Sequence, residues 1–100
     1  MTVDAQIRVL QKICGDRILK EVLGKLAAME LQKCERALAT VDDDLATFEK
    51  RFGKSSRDAW EAYRAGAMGD DPDVMEWMAV FENRLALETS IDQLQKTIEP

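Results

Sequence analysis

From Leu31 onward the apolar residues keep a fixed rhythm. Leu31, Cys34, Leu38, Val41, Leu45, Phe48 and Phe52 recur at alternating spacings of three and four. That spacing keeps one seam of an α-helix apolar, with Leu31, Leu38, Leu45 and Phe52 at one core position and Cys34, Val41 and Phe48 at the other. Upstream, Ile18, Leu19, Val22, Leu23 and Leu26 widen the seam into a broader core face, so the pattern predicts one helix over residues 16–53, stopped at Gly53. Gly24 interrupts it at a cost of ~1 kcal/mol relative to Ala, which suggests a close neighbour there. At ~1.5 Å per residue the helix would span roughly 50 Å, and a rod of that length cannot bury its seam alone.

Within the N-terminal segment, residues 1–15, positions 3–14 are ambiguous by pattern. Ile7, Leu10 and Ile13/Cys14 stand at helical spacing, while Ile7 and Val9 among polar neighbours also fit a short strand. Helix is the better reading, because Gly15 then gives a left-handed stop and Asp16 an N-cap for the helix that follows. Residues 54–70 read as a short helix and turns. Ser55 or Ser56 caps it, Asp58 sits in its first turn, and Ala59, Trp60, Tyr63 and Ala67 fold one face inward before Gly66 and Gly69 release the chain. A last helix over residues 71–99 starts with Asp71 as cap and Pro72 at the first helical position. Its apolar side carries Val74, Trp77, Met78, Phe81, Leu85, Leu87, Ile91, Leu94 and Ile98.

These elements predict a single all-α domain: a long helix, a short helix across the bend, and a second long helix folding back as an antiparallel hairpin. A parallel self-zipper is disfavoured, since it would set Glu30 against Glu35 and Asp44 against Glu49. The first helix is the longer one, which leaves its N-terminal half for residues 3–14, a second copy or a different protein to cover. A homo-oligomer is therefore expected of the chain on its own.

Composition narrows the function classes. One hundred residues make one small domain, and a net charge of −5 argues against nucleic acid as the main ligand. No apolar run reaches the ~18 residues of a membrane span, and the N-terminus lacks the pattern of a secretory signal. Cys14 and Cys34, the only cysteines, have no metal-like spacing and read as reduced, mostly buried thiols of a cytoplasmic protein. Histidine is absent, and no phosphate loop or serine elbow occurs, so neither an enzyme nor a cofactor is expected. The acidic knot Asp70, Asp71, Asp73 and Glu76 lacks the alternating ligands and central glycine of a calcium loop, whereas helix capping accounts for Asp71 and Asp73. Asp42, Asp43 and Asp44 read as a solvated helix face, with a patch for a basic partner as the alternative.

The large anchors are Trp60, Tyr63, Trp77 and Phe81. Aromatic residues at helical spacing are usually core, yet a short helix laid over a hairpin can leave part of an aromatic face open to a partner. The stretch "LATFEKRFGKSSRDAWEAYRAGAMGDDPDVMEWMAVFE" resembles a pattern found in small prokaryotic helical proteins of the antitoxin-like type. The matching positions are Phe48, Phe52-Gly53, Ser55 or Ser56, Trp60, Tyr63, Gly66, Gly69-Asp70, Asp73 and Glu76-Trp77. Phe52 stands where tyrosine is usual and Trp60 where phenylalanine is usual. The likeness covers about forty residues and leaves the N-terminal third outside it. It implies a non-enzymatic protein that binds and neutralises a nuclease-like toxin encoded beside it, with Trp60, Tyr63, Asp70 and Trp77 as the candidate partner-binding residues. A homo-oligomeric structural or adaptor protein without a toxin is the competing expectation.

Overall fold

In the computed structural model of the chain, which describes residues 1–98, the seam folds as its spacing requires. Four helices follow one another: α1 (Val3–Cys14), α2 (Asp16–Phe52), α3 (Ser56–Arg64) and α4 (Pro72–Ile98). No strand occurs among the described residues. The expected helix over 71–99 is present to Ile98, and its last position, Glu99, lies outside the described residues. Helix α4 runs back along α2 to form the hairpin, and α3 crosses its closed end.

Each junction has a local cause. Thr2 caps α1 by accepting from the Ala5 N–H at 3.1 Å, a signal the sequence reading did not use. Residues 3–14 are helix, not strand. Gly15 has a positive φ of 86°, but its ψ of 162° is extended, so it is not the left-handed stop expected. Asp16 is the first helical residue of α2 and caps nothing; its carboxylate accepts from the Gln11 side chain at 2.7 Å across the junction. Gly53 does end α2 in the left-handed conformation, with φ 65° and ψ 31°, where a Cβ would clash with its own carbonyl. Ser55 is the α3 cap, accepting from Asp58 N at 3.1 Å. Asp71 accepts from Asp73 N at 2.9 Å in front of Pro72, as expected of a cap.

The core is concentrated at the closed end. Val41, Leu45, Ala59, Val74, Trp77, Met78 and Phe81 form one buried cluster, with Phe48, Phe52, Trp60 and Tyr63 packed around it. Trp77 lies flat against Phe52 (centroids 5.1 Å apart, planes 6° apart) and beside Phe48 at 6.2 Å. Aromatic pairs at such separations contribute about 0.5–1.5 kcal/mol beyond area burial. Away from this end only Ala27 of α2 is buried, and α1 buries no residue at all.

The molecule measures 57 × 23 × 19 Å. At ~1.5 Å per residue α2 alone accounts for nearly all of the long dimension, so α1 turns aside at Gly15 instead of extending the rod.

Two expectations about α2 need correction. Helix α4 reaches the far end of α2, where Thr97 lines a shallow cleft with Leu19 and Leu23, so the inner side of the N-terminal half is partly covered from within the chain, with Leu23 still 40% exposed. A Cβ built on Gly24 meets nothing within 4 Å, so no close neighbour within the chain explains that glycine.

Candidate protein-binding surface

The four candidate residues do not form one site. Trp77 has 0% of its surface exposed, and its indole N–H donates to Ser56 Oγ at 2.9 Å inside the core. The sequence placed it among partner-binding residues because aromatics at helical spacing can be core or can stay partly open to a partner. Here the hairpin closes over it, and it offers a partner no surface. Trp60 and Tyr63 are half-buried, 6.2 Å apart between ring centroids, and Trp60 also rests against Phe81 at 5.7 Å. They form a partly open rim on α3, flanked by Arg57 and Arg64, which line a shallow depression with Trp60. Asp70 is an exposed residue of the turn before α4 and takes part in no hydrogen bond or ion pair among the described residues.

The acidic and polar groups around the bend tie elements together. Asp73 pairs with Arg51 of α2 at 2.6 Å, joining the start of α4 to the end of α2. Glu49 accepts from the Ser56 N–H at 2.6 Å, which satisfies one of the donors left free at the start of α3. Asp42 accepts from Arg84 at 2.7 Å, and Arg84 also pairs with Glu88, so one member of the triple-aspartate run is a cross-hairpin contact and not solvated surface alone. A polar cleft lies between these groups, lined by Asp42, Glu49, Ser56, Arg57, Phe81 and Arg84. Arg57 sits over the Phe81 ring at 5.5 Å there, a cation–π contact. The cleft's acids and bases are largely matched to one another, an arrangement that holds a bend together.

The largest apolar exposure lies where sequence reasoning did not place a site. On α1, Val3, Val9, Leu10 and Ile13 are exposed, and Val3, Ile7, Val9 and Leu10 line an open apolar depression together with Met1, which precedes the helix. On α2, the broad upstream face splits in two. Leu19 and Leu23 share a cleft with Thr97 of α4, with Leu23 still 40% exposed, and Ile18, Val22, Leu26 and Met29 are exposed outside that cleft. At 100° per residue Ile18, Val22 and Met29 fall roughly 140–180° from the buried Ala27, and Leu26 about 100° from it, at the edge of that side. Helix α2 is thus apolar on two sides over its first four turns and on one side beyond. The signal was in the sequence, since positions 18, 22, 26 and 29 are themselves helically spaced. Merged with 19 and 23, they passed for a single wide core face.

Of the two thiols, Cys34 is half-buried beside α4, in a cleft with Ser90, Gln93 and Leu94, while Cys14 is exposed, against the expectation that both are covered. No helix among the described residues is long and apolar enough to cross a membrane. Scans against protein-family models, curated proteins and solved structures returned no match.

Proposed function

We propose that this protein is a non-enzymatic, antitoxin-like binding module that holds a protein partner, a toxin encoded beside it, against the apolar face of α1. One observation carries the reading. Helix α1 is strongly amphipathic and capped, yet it buries none of its residues in its own chain. A twelve-residue helix is marginal in water on its own, and helices in proteins derive most of their stability from an apolar face packed on something else. Laying such a face into a partner's groove is a recurring mode of protein recognition. The sequence resemblance around the bend supports the toxin as the partner, and the caps and ion pairs that tie the elements there support a scaffolding role for that stretch.

The test is a titration with the protein that copurifies from the native host. Ile7→Asp and Leu10→Asp should weaken the complex by about 2 kcal/mol or more, as for interface anchors. The melt of the isolated chain should stay nearly unchanged, because α1 contributes nothing to the core. If both variants bind like the parent while Tyr63→Ala releases the partner, the site is the α3 rim instead.

A further inference from the structure

The exposed apolar stripe of α2 requires an occupant of its own. Ile18, Val22, Leu26 and Met29 make a stripe about three turns long, with Val22 57%, Leu26 54% and Met29 59% exposed. Past Met29 the same side turns polar, through Lys33, Arg36, Thr40 and Asp43. The stripe is bounded, and its midpoint falls between Leu23 and Gly24.

We propose that a second copy of this chain covers it, stripe against stripe, with the two α2 helices antiparallel about a two-fold axis near residues 23 and 24. Three observations select a second copy. The first is area. At these exposures the four side chains present on the order of 400 Å² of apolar surface per chain; with the ~60% apolar share of an interface core this becomes ~1,300 Å² in total, within the ~1,200–2,000 Å² of stable assemblies.

The second is charge beside the stripe. Glu21 and Lys25 lie on the same flank, and in a two-fold antiparallel pair each flank faces its own copy. Glu21 then meets Lys25 of the other chain, and Lys25 meets its Glu21, within about one residue's rise of being directly opposite. Among the described residues Lys25 has no ion-pair partner, and Glu21 pairs only with the exposed Arg17.

The third is charge at longer range. Residues 1–33 hold six basic and four acidic side chains, whereas the rest of the chain holds eight basic and fifteen acidic ones. Two copies repel each other along the acidic part and meet with least repulsion at their N-terminal thirds.

Equilibrium sedimentation of the full chain across the micromolar range tests this. A dimer is expected; a monomer throughout would overturn the proposal. Val22→Glu with Met29→Glu should weaken association on the order of a hundredfold while helical circular dichroism is retained, and a dimer unchanged by this pair would place the interface elsewhere. The charge pair supplies a test that does not touch the apolar surface. Glu21→Lys should weaken the dimer roughly five- to thirtyfold, because it sets lysine against lysine twice. The double exchange Glu21→Lys/Lys25→Glu should restore it. Failure of the double exchange to restore association would overturn the antiparallel two-fold arrangement.

Discussion

Removing the hydroxyl of Ser56 isolates one bond in the core. Ser56 is 2% exposed, and its Oγ accepts the only hydrogen bond that the Trp77 indole N–H makes, at 2.9 Å. Ser56→Ala leaves that N–H buried beneath Phe48 and Phe52 with no acceptor. A buried donor stripped of its partner costs about 1–3 kcal/mol, whereas the hydroxyl contributes little packing volume of its own. For a chain of this length that lowers the melting temperature by roughly 4–8 °C per kcal/mol. Trp77→Phe removes the donor and also part of the indole, so it should cost more, about 2–4 kcal/mol, from the cavity between α2 and α4. The double variant Ser56→Ala/Trp77→Phe should cost about 1 kcal/mol less than the sum, because neither polar partner is then left unmatched. Urea denaturation followed by circular dichroism at fixed chain concentration gives all three values. Additive losses, or a Ser56→Ala cost under ~0.5 kcal/mol, would mean that the indole finds another acceptor and that the bond does not hold α3 to α4.

Phe81→Ala should cost about 3–5 kcal/mol in the same assay, and Phe48→Ala less, since Phe81 is buried and Phe48 only half so. Pro72→Ala should cost under ~1 kcal/mol, because the ring only pre-sets the first turn of α4. Gly53→Ala should destabilise by about 1 kcal/mol through its left-handed backbone. Gly24→Ala, in an ordinary helical conformation with open space around it, should stabilise by up to ~1 kcal/mol; equal effects at the two glycines would refute this assignment. A thiol reagent should label exposed Cys14 well before half-buried Cys34 in the native protein and both at one rate in denaturant.

The hairpin was legible because its causes are local or periodic. The seam from Leu31 to Phe52, the Asp71-Pro72 start and the Gly53 stop each dictate their element without reference to distant residues. What periodicity does not carry is which side of a helix a neighbour takes. Ile18 and Leu19 are adjacent in sequence and 100° apart on α2, and only the position of α4 decides that Leu19 turns inward. The same gap hid the Asp42–Arg84 pair, forty-two residues apart, and the contact between Trp77 and Ser56. Trp77 shows the limit most directly. Acidic Glu76 precedes it in sequence, its neighbours in space are Phe48 and Phe52, and no rule based on spacing distinguishes an aromatic anchor from an aromatic core.

Concentrating the core at one end also sets how the hairpin opens. The aromatic cluster rivets α2, α3 and α4 at the bend, while the opposite end is held by small contacts such as that of half-buried Leu19 with exposed Thr97. Local opening free energies follow the density of buried contacts, so amide protection should fall steadily from the bend toward Gly15, with α1 exchanging fastest. Fraying of that kind draws on the same residues that await an occupant. Whatever docks there acts as a clasp on the loose end, raising the melting temperature with the logarithm of its concentration once that exceeds its dissociation constant.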